Sequence, residues 1–156
     1  MPKALINVKK KNIVIIDDSE AVRDSLKYYF ESHGAVVYTA SQIERVRTLL
    51  LGLITENTLP DLVIVDIILP ECFGLSALRV INDITRDFHI PILVVSSGFN
   101  KLAIAQMKLH DVVAYIEKPV LLEKLYKFTL DLLSDLENAN PKTSTNNIQN
   151  NLKAVS

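Results

Sequence analysis

The sequence predicts an α/β fold, a doubly wound parallel sheet of five strands covered by helices on both faces. Three observations predict it. Short β-branched apolar runs recur along the chain. Each is followed by a stretch with apolar residues spaced three and four apart. The runs themselves are apolar at nearly every position, which strands require only when both faces of their sheet are covered.

The elements follow in order. NIVIID (residues 12–17) reads as the first strand. Residues 19–33 carry Val22, Leu26 and Tyr29 or Phe30 on one helical face, and His33-Gly34 supplies a stop. AVVYTA (35–40) is the second strand, after which Ser41 offers a cap to a helix striped with Ile43, Val46, Leu50 and Leu53. DLVIVD (61–66) is the third strand, followed by a loop over 67–74 with Pro70 and Gly74, then a helix over 75–86. PILVVSS (91–97) is the fourth strand, with a weaker helix to residue 109. VVAYIE (112–117) is the fifth. After Lys118-Pro119 a long helix runs to residue 138 with Leu121, Leu125, Phe128 and Leu132 on one face. A second apolar row on that helix, Leu122, Tyr126, Leu130 and Leu133, either packs under neighbouring loops or forms a dimer or partner surface.

The domain organisation is simple. Residues 1–11 form an N-terminal arm with Lys3, Lys9, Lys10 and Lys11, expected to be solvated; 12–138 form one domain; 139–156, rich in Asn, Ser and Thr, is expected to be a flexible polar tail. Hydrophobic residues at 49% against 22% charged suit a packed globule among the 156 residues. A net charge of -1 gives no nucleic-acid footprint. Cys72 is the one cysteine, so no disulfide forms within the chain, and the longest clean apolar run, LLLGLI, falls far short of a membrane span. With no signal-peptide pattern, a cytoplasmic protein is expected.

Ligands of parallel α/β sheets bind outside the carboxyl ends of the strands. The polar residues there are Asp17 and Asp18 after the first strand, Asp66 after the third, Ser96 at the end of the fourth and Lys118 past the fifth. Three carboxylates in one crevice demand a counter-charge. A hard divalent cation such as Mg²⁺ prefers oxygen ligands and accepts one or two carboxylates plus a phosphate oxygen. An ammonium and a hydroxyl beside them suit phosphoryl transfer onto an aspartate. Taken singly, each residue has a plainer explanation: a helix cap, a loop acid, a strand-end serine, a surface lysine. Their joint placement is what points to chemistry.

Four segments carry a family likeness in order and at family spacing: IIDDS with Asp17, Asp18 and Arg23; VDIILPECFG with Asp66, Pro70 and Gly74; VVSS with Ser96; and AYIEKP with Tyr115, Lys118 and Pro119. Together they resemble the receiver domain of two-component response regulators over residues 12–138, with a single-domain organisation of the chemotaxis-regulator type. The resemblance implies a flavodoxin-like strand order 2-1-3-4-5 with five helices, and Asp66 as phosphoacceptor. It implies Mg²⁺ (or Mn²⁺) on Asp17, Asp18, Asp66 and the backbone carbonyl of Ile68. It further implies phosphoryl-oxygen contacts from Ser96 and Lys118, a cis Lys118-Pro119 bond, and a switch through Ser96 and Tyr115. The implied partners are a sensor histidine kinase or histidine phosphotransfer protein and a downstream protein target, and no enzymatic activity beyond the chain's own phosphorylation and dephosphorylation. Ser97, Gly98 and Phe99 after the switch hydroxyl, Asp111-Val112 before the fifth strand, and Cys72-Phe73 depart from the usual family residues. The competing readings are a dehalogenase-like phosphatase, which needs an acid where Ile68 stands, a histidine phosphotransfer protein, which would be all-α, and a receiver-like scaffold that binds a partner without being phosphorylated.

Overall fold

Alternating apolar residues organise the molecule around one sheet. The computed structural model describes residues 10–67, 75–139 and 153–155. Strand β1 (Asn12–Ile16) leads into α1 (Glu20–Ser32), β2 (Val36–Ala40), α2 (Ile43–Thr55), β3 (Leu62–Val65) and α3 (Leu75–Thr85) with a 3₁₀ turn at Arg86–Phe88. Then come β4 (Ile92–Ser96), α4 (Lys101–Met107), β5 (Val112–Glu117), α5 (Leu122–Asn138) and β6 (Lys153–Val155). All strands pair in parallel, in the order β2-β1-β3-β4-β5-β6. The expected order of the first five holds. The sixth is an addition that the sequence did not announce.

Because side chains alternate across a strand, each strand feeds two cores. Val14 and Ile16, Val63 and Val65, and Ile92 and Val94 join the core under α2, α3 and α4. Their neighbours Ile13 and Ile15, Leu62 and Ile64, and Leu93 and Val95 join the core under α1 and α5. This double burial is why the strands read as apolar throughout. The helices bury the predicted stripes: Leu26 and Phe30 on α1, Val46, Leu50 and Leu53 on α2, Leu125 and Leu132 on α5. Of the α1 alternatives, Phe30 is the buried one.

Strand β5 contains one irregularity with a consequence for the site. Ile92 pairs with Val112 but Leu93 with Ala114, so Val113 is an extra residue on β5. Val113 and Ala114 therefore both serve the α1/α5 core, and Tyr115 turns to the opposite face, against Phe99 and the α4 side.

Several expectations are corrected. Ser41 does not cap α2; Gln42 holds that position without a side-chain cap bond. Leu121 is not on the buried face of α5 but precedes the helix, 68% exposed. The second row of α5 is taken up internally: Leu133 is buried, and Leu122, Tyr126 and Leu130 pack on the α1/α5 core, with the Tyr126 ring 5.5 Å from Tyr29 and 4.3 Å from His33. The basic arm is not solvated to its end. The Lys10 amide donates to the Gly34 carbonyl at 2.9 Å, and the Lys11 ammonium pairs with Glu137 on α5 and with Asp61. Residues 1–9 lie outside the described residues. In the tail, 153–155 form β6, whereas 140–152 and 156 lie outside the described residues.

Candidate functional site

The strand order places the site. Strand β1 lies between β2 and β3, so chains leaving the carboxyl ends of β1 and β3 emerge side by side. Backbone bonds carry the pairing up to the acids: the Asp66 amide donates to the Ile16 carbonyl at 2.9 Å, and the Asp17 amide to the Ala40 carbonyl at 3.3 Å. Asp17 and Asp66 are buried, 4% and 7% exposed, and Asp18 is exposed. One carboxylate oxygen of each of the three lies within 4.8 Å of the others.

The turn from β1 into α1 is fixed locally. The Ser19 amide donates to Asp17 Oδ1 at 2.9 Å, an Asx turn, while Ser19 Oγ accepts from the Val22 amide and caps the helix. Capping thus falls to Ser19, so neither Asp17 nor Asp18 is used up in that role. Arg23 reaches back from α1 and donates through Nη1 to the Asp17 carbonyl at 2.7 Å. The sequence reading placed Arg23 in the motif without a task; its place one turn after the Ser19 cap was the available signal.

Ser96 and Lys118 complete the cluster. Ser96 is fully buried at the end of β4, and its Oγ donates to Asp66 Oδ1 at 2.9 Å. The Lys118 amide donates to the Ser96 carbonyl at 2.9 Å, which ties the chain after β5 to the end of β4. The Lys118-Pro119 bond is cis. From there Lys118 Nζ donates to Asp17 Oδ2 at 2.7 Å and to Asp66 Oδ2 at 2.8 Å. Burial alone would depress the lysine, but its bonds to Asp17 and Asp66 outweigh it and hold the ammonium above its ordinary value. A cleft of about 600 Å³ opens beside the cluster, walled by Val22 and Leu26 of α1, Val120, and Leu122 and Leu125 of α5.

All five residues named at the strand ends therefore meet, from parts of the chain as distant as 17 and 118. Tyr115 stands one step away, its ring 4.8 Å from Phe99. Ile68 and its carbonyl lie outside the described residues. Three carboxylates facing one ammonium leave an excess of negative charge made wholly of hard oxygen donors. That donor set fits a small divalent cation such as Mg²⁺, with Asp17, Asp18 and Asp66 as the protein ligands.

Comparison with known proteins agrees with this geometry. The chain matches the response regulator receiver domain family over residues 13–129. It is 28% identical over 126 residues to the polar-differentiation response regulator DivK of Brucella ovis, covering 80% of this chain and 98% of that one. An uncharacterized 14.6 kDa protein of Leptolyngbya boryana is 26% identical over 86 residues, 55% of this chain and 62% of its own length. Among solved structures, a CheY-like receiver domain protein from Methanospirillum hungatei JF-1 superposes with a TM-score of 0.70 at 26% identity, covering 83% of this chain and 98% of that one. A receiver domain protein from Clostridium thermocellum gives 0.64 at 29%, covering 81% and 96%. With the fold, the strand-end acids and the family match over most of its length in agreement, the chain belongs to the response regulator receiver domain family.

Proposed function

We propose that this chain is a phosphorylation-controlled response regulator of the cytoplasm, whose Asp66 accepts a phosphoryl group from a sensor histidine kinase or a histidine phosphotransfer protein. The observation that carries the reading is the setting of the Asp66 carboxylate, with Ser96 Oγ on one oxygen and Lys118 Nζ on the other, beside two further acids. In the reaction an Asp66 oxygen forms the new O–P bond as the P–N bond to the donor imidazole breaks, and the imidazole leaves to take up a proton. Ser96 and Lys118 then hand their hydrogen bonds from the carboxylate to the phosphoryl oxygens, which carry more negative charge and reward the exchange. Mg²⁺ or Mn²⁺, held by Asp17, Asp18, Asp66 and the Ile68 carbonyl, would supply further neutralisation of those oxygens.

Drawing Ser96 toward a phosphoryl group pulls on the end of β4, and Tyr115 on the adjacent strand is placed to respond through Phe99. A few kcal/mol of differential bonding are enough to convert a minor active state into the dominant one. Output then passes to a protein partner. Nothing in the charge balance invites nucleic acid, and among the described residues no helix is long and apolar enough to cross a membrane.

The test is incubation with acetyl phosphate and Mg²⁺ followed by intact-mass measurement. The expected result is a single added phosphoryl group that is lost in Asp66→Asn. A chain that gains no mass while still binding a partner would instead be a receiver-like scaffold.

A further inference from the structure

Strand β6 sits on the outer edge of β5, in the register Ala114–Lys153, Tyr115–Ala154 and Ile116–Val155. The stretch between it and α5, NPKTSTNNIQNNL, is poor in core-forming residues. Contact is made through the backbone ladder of three register pairs. The free edge of a sheet presents a row of unpaired amides and carbonyls that accepts another strand, and here that place is taken by residues of the same chain. A ladder this short is separable in a way that the central strands are not.

The strand that β6 covers is also the strand that hears from the acid site. Tyr115 is the middle register partner of β6 on one side and pairs with Val94 of β4 on the other, while its ring contacts Phe99. Ser96 pairs with Glu117 at the end of the same ladder, its carbonyl accepts from the Lys118 amide, and its hydroxyl donates to Asp66. A pull on Ser96 is therefore a pull on the β4–β5 pair that carries β6.

We propose that the outer edge of β5 is a strand-docking surface whose resident occupant is this chain's own segment 153–155, and that phosphorylation of Asp66 releases it. This rests on the reading of Asp66 as phosphoacceptor. The uncovered edge offers backbone donors and acceptors in a parallel frame, and so fits a partner protein that presents an extended segment.

The test is amide hydrogen exchange on the full chain, read by mass spectrometry, with Lys153→Pro, Ala154→Pro and the double variant. Successive amides of a strand point to opposite sides, so one single variant removes a donor that faces β5 and the other does not. The expected result is exchange over 112–117 faster by about tenfold or more in the double variant and in one single variant only, with β1 and β3 unchanged. Acetyl phosphate with Mg²⁺ should produce the same rise in the parent and none in Asp66→Asn. Equal exchange in the parent and the double variant would overturn the covered edge. A parent whose mass shows the phosphoryl group but whose exchange is unmoved would overturn the release and leave the phosphoacceptor standing. No gain in mass would overturn both. Sedimentation is expected to show a monomer; a dimer abolished by the prolines would mean that the strand comes from a second copy and would overturn the intramolecular assignment.

Discussion

Replacing Lys118 with Met keeps the apolar stem and removes the ammonium that Asp17 and Asp66 share. Hydrogen bonds to charged groups contribute about 1.5–3 kcal/mol each. Two are lost, at 2.7 and 2.8 Å, from a side chain that is 25% exposed. Water screens part of that loss, so a destabilisation of about 2–4 kcal/mol is expected in EDTA. The repulsion left behind has a similar size: two carboxylate charges at the 4.8 Å limit of the cluster interact by about 3.5 kcal/mol at an effective dielectric constant of about 20. For a chain of this length the melting temperature should fall by about 5–12 °C. Excess Mg²⁺ should restore more stability to the variant than to the parent, since it meets no competing ammonium, and should bind it about tenfold more tightly. Urea unfolding in EDTA and in MgCl₂, with a Mg²⁺ titration, measures both quantities. A loss below about 0.5 kcal/mol together with unchanged Mg²⁺ affinity would refute the view that Lys118 neutralises the acids.

Other perturbations probe the framework. Leu50→Ala, at a fully buried position on α2, should cost about 2–5 kcal/mol in urea unfolding with the fold retained. Arg23→Ala removes the donor to the Asp17 carbonyl and should cost about 1–2 kcal/mol while slowing phosphorylation by acetyl phosphate, read by intact mass. His110, depressed chiefly by burial despite the nearby Asp83 and Asp111, binds its proton more readily when unfolded. Stability should therefore decline as the pH falls below about 6.5, toward the lower folded value, and His110→Gln should flatten that segment of the unfolding profile.

The strands and the acid cluster were legible because they depend on local signals. Two-sided burial makes β1, β3 and β4 apolar throughout, and the carboxyl ends of parallel strands converge by topology, so Asp17, Asp66, Ser96 and Lys118 could be brought together without coordinates. What escaped depends on distant or backbone partners. Lys11 looked solvated because its partner Glu137 is 126 residues away. Strand β6 has too few residues to show any period, and its pairing is carried by the backbone. Gln42 rather than Ser41 takes the cap position of α2, and with no side-chain cap bond it leaves no signal that a cap propensity could read. The α5 row from Leu122 to Leu133 has the same pattern whether it meets a partner or its own α1, and only the placement of Tyr29, Phe30 and His33 decides between them.

The extra residue at Val113 makes β5 sensitive to parity rather than to chemistry. Val113 and Ala114 share a face, so deleting Val113 would keep Tyr115 and Ile116 on their present sides, whereas inserting one residue after Ala114 would swap their outlook without altering either. The tyrosine would point at α1 and α5, Phe99 would lose its neighbour, and an isoleucine would take the aromatic ring's place beside α4. A one-residue insertion here is thus expected to sever the acid cluster from the α4 side more completely than any single substitution of Tyr115.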